Sequence, residues 1–213
     1  MDSSLLIEEI KRKDVDVEYF ANKIIENESC RKEVVENLLT NKEIMVYYHC
    51  YYIVSMASEL RADLFYEYWH DFAALLDHKN SYHRDIGLTI IANLVKVDNN
   101  NYFEDIFYDY LRHFDDAKFM TAQCFLKNLA KIAKIRVDLR EKIVETLIEV
   151  DKRTSYPVKQ RELLKYSILQ IFDIVYNESN SKEKIDFFIQ SSLNSRSPKT
   201  KKKAKELVKK YFI

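Results

Sequence analysis

Two stretches of the chain nearly repeat each other. Ile90-Ile91-Ala92-Asn93-Leu94-Val95-Lys96 returns 35 residues later as Phe125-Leu126-Lys127-Asn128-Leu129-Ala130-Lys131. A self-match at fixed distance inside helix-patterned sequence points to a supersecondary unit stacked on copies of itself, because one such unit cannot bury its apolar face alone. The rest of the chain agrees with helices. Val17, Phe20, Ala21, Ile24 and Ile25 follow the i, i+3, i+4, i+7, i+8 pattern of a single buried stripe, as do Phe103, Ile106, Phe107, Tyr110, Leu111 and Phe114. Segments around Ile86–Val95, Phe119–Ala133 and Leu163–Val175 are apolar around a wider arc, as expected of helices packed between neighbours. One Gly and two Pro among 213 residues leave few turn residues for sheets and no glycine loop for phosphate.

The periodicity predicts about twelve helices, at residues 3–13, 17–28, 31–39, 42–60, 62–77, 81–97, 102–114, 116–135, 139–153, 157–177, 181–194 and 198–212. Capping-box spacing occurs at Thr40/Glu43, Asn101/Glu104 and Asn180/Glu183. Ser197-Pro198 reads as an N-cap followed by proline at the first helical position, and Pro157 opens another helix. Small residues fall at matching places on the second helix of each proposed pair: Cys50, Gly87, Ala122, Ser167 and Ala204. Glycine inside a helix costs roughly 1 kcal/mol against alanine, so Gly87 calls for a packing reason.

The period of 35–45 residues, the paired helices and the scarcity of glycine resemble the HEAT and armadillo repeat class. Ser81-Tyr82-His83-Arg84-Asp85-Ile86-Gly87-Leu88 looks like the turn and second helix of a HEAT unit. Ile91-Ala92-Asn93-Leu94 and Leu126-Lys127-Asn128-Leu129 resemble inner helices of armadillo units. The resemblance implies an all-α fold, a right-handed α-α superhelix of about five helical hairpins. The expected layout is one domain over residues 1–213, with an irregular cap at 1–40, central repeats at 41–195 and a basic capping helix at 196–213. It also implies a non-enzymatic scaffold that binds a protein or peptide on a concave face.

Candidate binding residues follow. Armadillo-like inner helices imply peptide-binding asparagines at Asn93 and Asn128, with Lys96 and Lys131 one turn on along the same face. The matching positions elsewhere are Met56, Asp173 and Lys210, so an amide ladder does not continue. Tyr47, Tyr48, Tyr51 and Tyr52, then Phe65, Tyr66, Tyr68, Trp69 and Phe72, supply either interhelical filling or a binding patch. From Arg196 onward there are eight basic residues and one Glu, against 26 basic and 33 acidic in the remainder. This basic tail, with Lys199, Lys201, Lys202, Lys203 and Lys205, carries an apolar stripe of Ala204, Leu207, Val208 and Tyr211. It therefore reads as an end cap kept soluble by lysines, or as an anion contact.

Other chemistry is thinly represented. Glu67 and His70 share a helix face, but no second such motif completes a metal site, and no cofactor is expected. His49 and Cys50 point about 100° apart on a helix, a poor nucleophile–base pair. Three dispersed cysteines fit reduced thiols in the cytoplasm. The start of the chain lacks a signal-peptide pattern, and no apolar run is long enough to span a membrane. The alternative to a scaffold is a DNA-binding protein or an alkylpurine DNA glycosylase. Some of those enzymes are built from HEAT-like repeats and resemble this chain in size; Trp69 with Asp71 or Asp85 would then be the residues to consider. A formal net charge of zero argues against general attraction to nucleic acid or membrane.

Overall fold

The stripes at helical spacing fold as helices. The computed structural model describes residues 3–212, and these contain thirteen α-helices, short 3-10 turns and no strand. Met1, Asp2 and Ile213, the outermost residues of the expected cap and tail, lie outside the described residues. No helix among the described residues is long and apolar enough to cross a membrane. The chain divides into two compact units, Met1–Phe103 and Glu104–Ile213.

The first unit contains α1 (Ser3–Ile10), α2 (Val17–Glu26), α3 (Glu28–Thr40), α4 (Ile44–Leu60), α5 (Trp69–Ala74) and α6 (Ser81–Leu94); α7 (Tyr102–Leu111) begins at its end. Among the described residues of the expected cap, 3–40, helices prevail: α2 and α3 pack on each other and on α4. α4 also packs against α6, which in turn meets α5 and the 3-10 turn Leu75–Asp77. Gly87 sits at that crossing. A Cβ there would lie 2.9 Å from the Phe72 carbonyl oxygen and 3.1 Å from Leu75 Cβ, so only glycine lets the backbones approach this closely.

The second unit holds α8 (Phe119–Ile135), α9 (Arg140–Ile148), α10 (Val150–Arg153), α11 (Val158–Val175), α12 (Lys182–Ser192) and α13 (Pro198–Tyr211). α11 lies between α8 and α13, while α9 packs on α12 and α12 on α13. Ala122 and Ala204 are fully buried, as a close-packed position requires, but Ser167 is only half-buried and departs from the expected small-residue register.

Side-chain hydrogen bonds at similar sequence separations occur in both units. In the first, Tyr51 reaches Thr89, Asn93 reaches Ser55 and Lys96 reaches the Glu59 carbonyl, at separations of 38, 38 and 37 residues. In the second, Ser155 reaches Asp115, Thr200 reaches the Glu162 carbonyl and Lys210 reaches Asp173, at 40, 38 and 37 residues.

The helix ends differ from the sequence reading in instructive places. Residues 62–77 are not one helix but a 3-10 stretch, Ala62–Tyr68, followed by the short α5. The chain leaves helical geometry at Arg61 (φ −135°, ψ 69°), whose guanidinium forks onto Asp63 at 2.9 and 2.7 Å. Arg136 does the same to Asp138 after α8, at 2.9 and 2.6 Å. The expected helix 139–153 is interrupted at Glu149 (φ −86°, ψ 22°). Thr40 is no N-cap: it ends α3, and its hydroxyl donates to the Glu36 carbonyl. Asn101 instead takes a positive φ of 58°, and the start of α7 is held by Asp98, which accepts from the amides of Tyr102 and Phe103. Asn180 does not cap either; Glu141, from 39 residues earlier, accepts its amide. Ser197 caps α13 as expected, accepting from the Thr200 amide.

Candidate functional site

A groove of about 470 Å³ runs over α8 and α11 in the second unit, with Lys199 of α13 on its rim. Helical spacing makes it. On α8, Lys127 and Lys134 are seven residues apart, two turns along one face, with Ala130 between them. Leu163 and Ile174 from α11 supply apolar surface over the buried Leu126 of α8, and Tyr166, Gln123 and Gln170 supply polar groups. None of the groove's lining residues is acidic, and α8 carries no Asp or Glu along its length.

The lysines in this groove stand differently from those elsewhere. Lys127 and Lys134 are exposed and make no ion pair among the described residues. Lys199 places its ammonium 4.0 Å from the centre of the Tyr166 ring, an attraction to the aromatic face that fixes the charge over the groove. The neighbouring carboxylate of Asp173 is already committed: it receives Lys203 at 2.9 Å, Lys210 at 2.7 Å and the Tyr211 hydroxyl at 2.8 Å. Burial alone would raise the Asp173 pKa, but these hydrogen bonds outweigh it and hold the carboxyl below its usual range. The groove thus presents ammonium, amide and phenol donors above an apolar floor. This arrangement suits binding of carboxylates or other anions flanked by apolar groups.

The sequence-selected residues are dispersed and mostly spent within the fold. Asn93, 4% exposed, donates from its amide to the Ser55 carbonyl and to Ser58 Oγ, both at 3.0 Å, and so ties α6 to α4. Asn128, 2% exposed, donates to the Cys124 carbonyl at 3.0 Å within its own helix. Both side chains are too deeply buried to hold a peptide backbone, which corrects their expected role. Lys96 donates to the Glu59 carbonyl, and half-buried Lys131 lies one turn from Lys127. Trp69 is 1% exposed, packed among Tyr66 and Tyr102, so it offers no platform for a ligand. Asp71 is exposed and Asp85 half-buried.

The basic tail is mixed. Lys203 is paired with Asp173 and Glu206, whereas Lys201, Lys202 and Lys205 face outward. Ala204 and Leu207 are buried, which docks α13 on α11 and α12. Sequence reasoning selected Lys131 and missed Lys127, Lys134 and Tyr166. The readable signal was an acid-free helix with lysines at i, i+4 and i+7.

Catalytic and metal candidates are placed apart. Glu67 and His70 are both exposed, and among the described residues no cluster of His, Cys, Asp or Glu is arranged to hold a metal ion. Cys50 is fully buried, and desolvation pushes its thiol up to about 12, while buried His49 donates from Nδ1 to the Ile10 carbonyl at 2.6 Å. Compared with known protein families and with characterised proteins, the sequence matches none.

Proposed function

We propose that the protein is a HEAT/armadillo-like helical-repeat module that binds, without chemical transformation, an acidic segment of a protein partner in the α8–α11 groove. On this reading the chain is built of about five helical hairpins of the right-handed superhelical class. Hydrogen bonds at separations of 37–40 residues within each unit support stacked hairpins there. The observation that carries the functional reading is the groove lining: unpaired Lys127 and Lys134, the ring-held Lys199 and no carboxylate. Leu163 and Ile174, which keep some exposure, favour a segment in which carboxylates alternate with apolar side chains over a bare phosphate backbone.

The test is fluorescence anisotropy with two probes, a synthetic Glu/Leu amphipathic peptide and a DNA duplex, at low and high salt. The peptide is expected to bind, and Lys127→Glu with Lys134→Glu is expected to weaken it by about tenfold or more. Tight, steeply salt-dependent duplex binding without peptide binding would move the function to nucleic acid. Binding of neither probe would remove the groove as a recognition site.

A further inference from the structure

The first unit exposes a surface of opposite character. Along α4, Met45, Tyr48, Tyr52 and Met56 recur at spacings of 3, 4 and 4 residues and so form one face. Met45, Tyr52 and Met56 are 41%, 43% and 39% exposed, and Tyr82 of α6, beside them, is 55% exposed. The rings are held before any partner arrives. Tyr48 meets Tyr52 edge-to-face at 5.0 Å and Tyr82 at 6.0 Å. Beneath them, Tyr51 is tied to Thr89 by its hydroxyl and Tyr47 is stacked on His83 at 4.9 Å. Such rings bury large area at little cost in side-chain freedom.

The charge around this face selects its occupant. α4 has no Lys or Arg, and its single charged residue is Glu59. Asp85, half-buried on α6, lies close enough for its charge to act on Tyr48. Two cations of the unit are held to the backbone, Arg84 by the carbonyls of His78 and Lys79 and Lys96 by that of Glu59, while Lys42 and Lys79 are exposed. Residues 1–103 together hold 11 basic against 18 acidic residues, a difference of −7.

We infer that the Met45/Tyr48/Tyr52/Met56/Tyr82 face of α4 and α6 is a second docking surface, which takes an arginine-bearing apolar segment of a protein partner. Guanidinium planes stack on tyrosine faces and keep their charge toward Glu59 and Asp85, while the methionines accept apolar side chains of varied shape. This inference does not rest on the lysine groove.

The experiment uses the full chain and two labelled probes, an Arg/Leu amphipathic peptide and its twin with Glu at each Arg. The Arg probe is expected to bind at least about tenfold more tightly than the twin at this face. Tyr52→Ala with Tyr82→Ala should cost it about tenfold, Tyr52→Phe with Tyr82→Phe should retain most of the affinity, and helical circular dichroism should be unchanged. Met56→Lys, which alters no ring, should weaken the Arg probe by a comparable factor through like-charge repulsion and so guards against misfolding of the double variant. Equal affinity for both probes, or an Arg-probe affinity indifferent to the tyrosine and Met56 variants, overturns the inference. So does a concentration-dependent dimer in sedimentation that the tyrosine variants abolish, because a second copy would then be the occupant.

Discussion

The two units use the same element, a helix whose inner stripe is buried, but dress the outer stripe differently. In the first unit α4 shows tyrosine and methionine with no cation; in the second α8 shows lysines with no carboxylate. Their interiors are alike in kind: Ile53 and Val54 on α4 and Leu126 and Leu129 on α8 are fully buried. The lesson is that burial fixes the inward half of each helix and leaves the outward half open to different chemistry.

The sharpest way to break this comparison is to change aromatic residues of the first unit at two depths. Trp69→Ala empties a fully enclosed site and is expected to cost about 3–5 kcal/mol in denaturant unfolding. Tyr52→Ala, at the surface, should stay within about 0.5 kcal/mol, as should Lys127→Glu in the second unit. A small cost at Trp69 would return that ring to the list of ligand platforms. Next in size, Asn93→Ala removes the donor that joins α6 to α4 and leaves a Ser55 carbonyl without it; a loss of about 1–3 kcal/mol is expected by thermal or chemical denaturation. If stability held, the amide would be free to serve elsewhere. Gly87→Ala follows, at about 1–2 kcal/mol, because overpacking against Phe72 exceeds the roughly 1 kcal/mol gain in helix propensity. Stabilisation by this change would show that the crossing can relax.

The smallest effect concerns pH and distinguishes the second unit. Burial alone would raise the pKa of Glu162, but hydrogen bonds from Lys165 and Ser195 lower it, just as lysines and Tyr211 lower that of Asp173. Groups depressed on folding stabilise above their unfolded values, ordinarily 4.5 and 3.8, and lose that contribution as pH falls through the folded values. Docking of α13 on α11 should therefore weaken in acid below these values, followed by circular dichroism from neutral pH downward. Asp173→Asn should flatten part of that acid limb; an unchanged limb would mean that the Lys203 and Lys210 contacts add no pH-linked stability.

The fold class was largely legible in the chain because buried stripes repeat with helical period, and Gly87 stood out because glycine is penalised in a helix without a close neighbour. The ends were less legible. Asp98 and Glu141 hold chain turns through contacts made across several or many residues, which local capping patterns do not encode. The candidate site was legible only in part. Asn93 and Asn128 attracted notice because they recur, yet recurrence marked the buried face. Lys127 and Lys134 became meaningful only when folding set them beside Tyr166 and Lys199.

The most direct measurement is a crossed titration of the Glu/Leu and Arg/Leu probes against two variants, Lys127→Glu with Lys134→Glu and Tyr52→Ala with Tyr82→Ala. Two surfaces sorted by charge require that the lysine changes weaken only the Glu probe and the tyrosine changes only the Arg probe, each by about tenfold. Both probes weakened by the same variant, or neither weakened by either, would contradict the existence of two separate recognition faces.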